Sequence, residues 1–185
     1  MPPACPRRLS SSATGYACTT AKPRWPAFDE KRRMKIGLIS DTHGLLRPGA
    51  LAALQGCAHI LHAGDIGDPQ MLATLGHLAP VTAVFGNVDQ PHDWARALPH
   101  HVTVQLDGVD LLLCHVLAEV PKPLPPGVRV VVSGHSHRPL QFWQDDVLYI
   151  NPGSAGPRRF KLPVSLGCLT IEAGQVEGRL IELAV

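Results

Sequence analysis

Eight polar side chains stand where short apolar runs of this sequence stop. SDTHG supplies Asp41 and His43, HAGDIGD supplies Asp65, and FGNVD supplies Asn87 and Asp89; LLLCH ends in His115, and SGHSH carries His135 and His137. Leaving Asp89 aside, the set offers carboxylate, amide and imidazole donors and no thiolate. Such donors suit Mn2+, Fe2+, Co2+, Ni2+ or Zn2+ rather than a structural cysteine-zinc site. Seven donors are too many for one tetrahedral ion and suit two ions that share a bridging carboxylate. Any one of these motifs alone is more often a turn with solvated side chains. Their recurrence at five successive strand ends is what argues for a site.

Residues so far apart meet only if the fold gathers them. KIGLIS (35–40), HILHAG (59–64) and VTAVFG (81–86) are apolar runs of strand length, each stopping at serine or glycine. LRPGALAALQG and DPQMLATLGHL between them are long enough for helices, with Pro48 in a first turn and Asp68-Pro69 as N-cap and first helical residue. Alternation of this kind predicts βαβ units and a parallel sheet buried on both faces. The carboxyl ends of its strands open on one crevice. The second half is richer in strands: VTVQLDGVDLLLCH reads as a hairpin turning at Asp107-Gly108, and VRVVVSG, PLQFWQDD, VLYINPG, VSLGCLTIEAG and QVEGRLIELA follow with short turns. Together the halves predict a mixed pair of packed sheets with helices outside. VLAEVPKPLPPG, which leads from His115 toward Val128, carries four prolines and is expected to replace a shortened helix in a crossover rather than to gate the site.

The chain of 185 residues fits one domain and contains no apolar run long enough for a helical membrane span. Five scattered cysteines without a C-x-x-C pair fit free thiols in a reducing compartment, and a cytoplasmic location is expected. The net charge of +2 hides an asymmetry, since residues 1–33 hold seven Lys/Arg against two Asp/Glu and the remainder is about −3. That balance argues against a general nucleic-acid footprint. Residues 1–33, rich in Pro, Ser, Thr, Ala and Arg without periodicity, are expected to be a mobile or loosely docked extension. They resemble a transit peptide only weakly, and Met34 reads as the natural start.

Several other residues have plainer readings. His59 and His62 fall within a strand and His77 within a helix, so packing or surface roles are expected; His92, His100 and His101 are expected in loops. Cys114 should point away from His115 as a buried free thiol. Of Arg138, Arg158 and Arg159, only Arg158 is given a phosphate-binding role, through its place after NPGS; Trp94 and Trp143 are read as packing residues.

In order and approximate spacing, D-x-H (Asp41, His43), GDxxD (Gly64 to Asp68), GN (Gly86, Asn87), the post-strand His115 and GHxH (Gly134 to His137) resemble the calcineurin-like metallophosphoesterases from Lys35 to about Val185. NPGS (Asn151 to Ser154) with Gly156-Pro157-Arg158 is similar to the small bacterial and archaeal branch that includes the YfcE phosphodiesterases. The resemblance implies a four-layer α-β-β-α sandwich of two mixed β-sheets flanked by helices over residues 34–185. It implies one ion on Asp41, His43, Asp65 and His137 and a second on Asp65, Asn87, His115 and His135, with Mn2+ favoured for activity. It further implies hydrolysis of a small phosphoester or nucleotide by in-line attack of a metal-bridging hydroxide, with Asn87 and Arg158 on the substrate. A homo-oligomer is compatible with it.

The chain departs from that pattern twice. Val88 stands where many relatives have a phosphate-contacting histidine, which points toward diesters or esters with good leaving groups; Val116 follows His115 where glycine is usual. Asp89 reads either as an orienter of a ligand histidine with a share in catalysis or as a turn residue. A different class stays open as well: the retromer subunit Vps29 has this fold as a non-catalytic protein-binding module with a degraded metal site. A metallo-β-lactamase-like reading lacks its HxHxDH run, and neither a P-loop nor a GxGxxG fingerprint is present.

Overall fold

The computed structural model describes residues 33–159 and 161–184. The N-terminal extension, residues 1–32, lies outside the described residues. Arg33, assigned to that extension from sequence, is the first residue of β1 (Arg33–Ile39), where it sits opposite Glu172 of a neighbouring strand.

The first half alternates as its pattern requires: β1, α1 (Pro48–Leu54), β2 (His59–His62), α2 (Gln70–Gly76) and β3 (Val81–Ala83). The first sheet has the order β10-β9-β1-β2-β3, with β1, β2 and β3 parallel and β9 (Ser165–Glu172) and β10 (Gln175–Glu182) antiparallel. Alternate residues of β1 and β2 divide between its faces. Ile36, Leu38 and Leu61 point to the second sheet, while Ile39 and Ile60 meet Ala50 and Leu54 of α1 and Leu75 of α2. Gly37 permits that approach, because a Cβ there would overlap Leu54. Proline occupies the first turn of α1 as expected. The start of α2 falls one residue later than the sequence implied: Pro69 is the cap position, yet Asp68 Oδ1 still accepts from the Gln70 amide at 2.8 Å.

The second sheet joins β4 (His101–Leu106), β5 (Val109–Cys114), β6 (Val128–Val132), β7 (Leu140–Gln144) and β8 (Val147–Asn151) in the order β4-β5-β6-β8-β7. His101, expected in a loop, is the first residue of β4 and pairs with Cys114. Asp107 and Gly108 both have positive φ (48° and 78°), the type I′ turn expected of the hairpin. Two further two-residue turns use the same geometry, Asp145-Asp146 and Ala173-Gly174. Val109, Leu111, Leu113, Val130, Val132, Leu148 and Ile150 face the first sheet and complete a core from which water is excluded.

The two mixed sheets pair as expected, with α1 and α2 outside the first, and the proline-rich crossover covers the second. Between the parallel strands β5 and β6 only a 3-10 turn forms, Leu117–Glu119. Val120 and Leu124 of this segment pack on Leu112, Cys114, Val128, Val131 and Val147, so a loop does the covering work of a helix. No helix among the described residues is long and apolar enough to cross a membrane.

Candidate metal centre

The carboxyl ends of β1, β2, β3, β5 and β6 open on one rim, and main-chain pairing carries on beyond the strands to fix the loops there. The Asp41 amide donates to Gly64 O (2.9 Å), the His43 amide to Asp65 O (2.9 Å), and the Gly134 amide to His115 O (2.9 Å). Asp41, His43, Asp65 and His137 thereby each bring one ligand atom within 4.8 Å of the others. His137 Nε2 lies 3.2 Å from Asp41 Oδ1 and 3.4 Å from His43 Nε2. Asp65 faces both ways, with Oδ1 3.4 Å from His115 Nε2 and Oδ2 3.8 Å from His43 Nε2. The His115 and His135 rings meet edge to face with centroids 5.2 Å apart. Asn87 is exposed and lines one small cavity with His115 and Gly86.

Local backbone conformation is unusual at these residues. Asp41, His43, Asp65, His135 and His137 all have φ between 46° and 65°. Left-handed backbone costs a non-glycine residue on the order of 1 kcal/mol or more, and it persists only where the surroundings enforce it. Concentrating it on five candidate ligands sacrifices stability at one place for the direction in which these side chains point. Two glycines make room for them: a Cβ on Gly86 would overlap Asp65 Oδ1, and one on Gly134 would overlap Ser40 Oγ.

A second layer of hydrogen bonds aims the ligands. His115 Nδ1 is 2.7 Å from Ala63 O; a carbonyl only accepts, so Nδ1 carries the proton and Nε2 turns a lone pair toward Asp65. Asp41 Oδ2 accepts from the His135 amide (3.2 Å), and Ser154 Oγ donates to Asp41 O (2.9 Å). Asn151 Nδ2 donates to Gly134 O (2.6 Å) and Ser136 Oγ (3.1 Å), so the NPGS segment braces the loop bearing His135 and His137. His62 is fully buried and bonded to Thr42 Oγ1 at 3.0 Å, and burial holds its imidazole down at about 3.

The electrostatics of the cluster suit a cation. Burial pushes the Asp41 carboxyl up to about 7. Burial also lowers His43, and it takes His137 down to about 4 with help from the positive charge of Arg159. Burial opposes charge on Asp65 and on His115 as well, but each stands close enough to favour the opposite charge on the other, 3.4 Å away, and this outweighs burial, lowering Asp65 to about 2 and raising His115. Among the described residues, Asp41 Oδ1, His115 Nε2 and His137 Nδ1 are buried without a hydrogen-bond partner. Buried polar atoms are rarely left unpartnered. A carboxylate oxygen and an imidazole lone pair in that condition are what a divalent cation would satisfy, so the residues present fit the expected metals.

Two of the residues singled out from sequence, Asp89 and Arg158, stand apart from the clustered ligands. Asp89 is the turn residue of its two readings, and among the described residues its side-chain hydrogen bonds go to backbone amides and not to a candidate ligand histidine. It is fully buried; Oδ2 accepts from the amides of Gly86 (2.8 Å) and Ile66 (3.0 Å), and Oδ1 accepts from that of Gly67 (2.8 Å). A turn from Gly86 to Asp89 points the carboxylate inward, where it ties the loop after β2 to the loop after β3. Arg158 is exposed, and the arginine that reaches the site is its neighbour Arg159, with Nη2 3.5 Å from His43 Nε2. Sequence patterns carry no signal for either, because adjacent loop residues point differently. Cys114 behaves as expected: buried, packed away from the site, with its thiol pushed up to about 12 by burial.

Comparison with known proteins bears directly on this arrangement. The Calcineurin-like phosphoesterase superfamily domain matches residues 34–174. A probable metallophosphoesterase of Methanothermobacter thermautotrophicus is 31% identical over 163 residues, covering 80% of this chain and 92% of its own. Among solved structures, one titled as a novel archaeal phosphodiesterase superposes with a TM-score of 0.64 at 25% identity, covering 80% of this chain and all of that one. Vacuolar Protein Sorting 29 from Cryptosporidium parvum also reaches 0.64, at 19% identity over 83% of this chain and 99% of its own, which is a likeness of fold. A matching domain across most of the chain and a curated relative above 30% identity agree with the clustered ligands: the chain belongs to the calcineurin-like phosphoesterase superfamily.

Proposed function

We propose that the protein is a dinuclear metal-dependent phosphoesterase acting on phosphodiesters. The observation that carries the proposal is the two-sided placement of Asp65, one oxygen toward His43 and the other toward His115. In that reading Asp41, His43, Asp65 and His137 hold one divalent ion, and Asp65, Asn87, His115 and His135 hold the other. Bound there, such ions supply Lewis acidity to phosphoryl oxygens and bring the pKa of a water toward neutrality.

The chain's own groups do the positioning. Ser40 and Thr42 are fully buried and their hydroxyls donate to carbonyls, Ala63 O and Ile66 O, which cannot take a proton, so neither is set up as a nucleophile and water is favoured as the attacking group. Arg159, held beside His43, adds positive charge at the rim for an anionic ester. Val88 contributes only its amide, 3.0 Å from Asp65 Oδ1, and leaves no imidazole for an alkoxide leaving group. Diesters and aryl esters, which need less help in departure, are therefore the expected substrates.

The test is turnover of bis(p-nitrophenyl) phosphate with added Mn2+. Asp65→Asn should lower it by at least about 10^3 while leaving the circular dichroism of the fold unchanged. Near-normal rates in that variant contradict the bridging role. An inactive wild type that retains no metal would instead support a non-catalytic binding module, the reading that the fold shared with Vps29 keeps open.

A further inference from the structure

The candidate metal centre is flanked by two cavities of opposite character, divided by Val116, which lines both. On the Asn87 side the cavity is small, about 170 Å3, and polar, with His100 Nε2 paired to Glu119 at 2.9 Å. On the His135 side a cavity of about 380 Å3 is lined by Leu117, Leu140, Phe142 and Tyr149 together with His135 and Gly134. Phe142 and Tyr149 stack with centroids 5.0 Å apart and planes 3° apart, each ring covering a face of the other, and both line this cavity. Leu117, Leu140 and Phe142 remain 37%, 47% and 37% exposed among the described residues, and grouped exposed apolar side chains of this kind are a common mark of ligand-binding grooves.

We propose that this cavity seats the ring-bearing apolar substituent of the phosphoester, fixing which side of the phosphorus faces His135. The proposal rests on the phosphoesterase reading and adds the substrate class: an ester carrying an aryl or comparably flat apolar group. Continuity names the occupant, since the candidate ligand His135 lines the same cavity as the apolar side chains. Size agrees, because an apolar cavity of about 150 Å3 already accepts benzene, and ligand sites generally span about 300–1,000 Å3. The polar cavity across Val116 offers a carboxylate and an imidazole instead, so the two substituents of a diester would be sorted by polarity.

The experiment is calorimetric binding of phenylphosphonate and methylphosphonate to the Mn2+-loaded protein, alongside turnover of bis(p-nitrophenyl) phosphate. Phenylphosphonate should bind on the order of tenfold more tightly than methylphosphonate, as partial burial of a ring requires. Leu140→Asn should reduce that ratio to less than about threefold with methylphosphonate affinity unchanged. Phe142→Ser should do the same, while Trp143→Ser, on the same strand but outside the cavity, should not. Equal affinity for the two phosphonates, or a ratio unmoved by Leu140→Asn, overturns the proposal. So does a dimer in light scattering that Leu140→Asn dissolves and phenylphosphonate leaves intact, because the wall then belongs to a second copy. A preference for phenylphosphonate without any ester turnover would keep the seat and remove the proposed function. Absence of binding by both phosphonates removes both.

Discussion

Metal uptake by this protein should expel protons in a way set by Asp41. Burial holds its carboxyl at about 7, so in the metal-free protein roughly nine in ten molecules carry that proton at pH 6 and about one in ten at pH 8. Ligation requires the carboxylate, and the proton must leave. His115, also raised, adds to the release near pH 6. Titration with Mn2+ in two buffers of different ionisation enthalpy should report about one proton or more per chain at pH 6, with the Asp41 share falling to about 0.1 at pH 8 and its effect on apparent affinity about fivefold between pH 6 and pH 7. Stability carries the same signature. An acid whose folded pKa is raised from 3.8 to about 7 contributes stability fully present below about pH 4 and lost as pH rises through 7, here on the order of 4 kcal/mol. The metal-free protein should therefore lose that amount across this window relative to Asp41→Asn, and Mn2+ should restore it. Proton release that does not change with pH, or that is unaltered in Asp41→Asn, would refute the reasoning.

Other consequences concern the supports of the site. Asp89→Ala strands three buried amide donors and should cost about 3 kcal/mol or more in urea unfolding, with Asp89→Asn intermediate; undiminished stability with lost turnover would return Asp89 to the chemistry. His62 is depressed from 6.5 to about 3, so its contribution is present above pH 6.5 and lost as pH falls toward 3, about 3 kcal/mol by pH 4; His62→Gln should flatten that acid limb of the urea midpoint, and an unchanged limb would exclude His62 as its source. Gly86→Ala should weaken Mn2+ binding at least about tenfold by displacing Asp65, measured by the same calorimetry, and unchanged affinity would mean that the loop gives way without moving the carboxylate.

The parts of this fold that local chemistry dictates were legible. Apolar runs of strand length, the Asp107-Gly108 turn and the prolines between His115 and Val128 each impose a conformation on their own neighbourhood, and β1 to β3, the hairpin and the helix-free crossover follow. Donor residues at successive strand ends were legible for the same reason, since parallel strands leave no freedom over which rim they share. What the sequence hides is direction. Left-handed backbone at Asp41, His43, Asp65, His135 and His137 comes without the glycines that would announce it, because hydrogen bonds from distant loops enforce it. Asp89 finds its partners in a loop more than twenty residues earlier, and Arg159 rather than Arg158 turns toward His43, neither of which periodicity encodes.

Electron paramagnetic resonance during Mn2+ titration of the metal-free protein tests the gathered, two-sided site most directly. About two Mn2+ per chain with a spin-coupled spectrum, reduced to isolated or absent ions in Asp65→Asn, is the predicted result. A single uncoupled ion at saturation, or coupling that survives loss of the Asp65 carboxylate, would contradict the account.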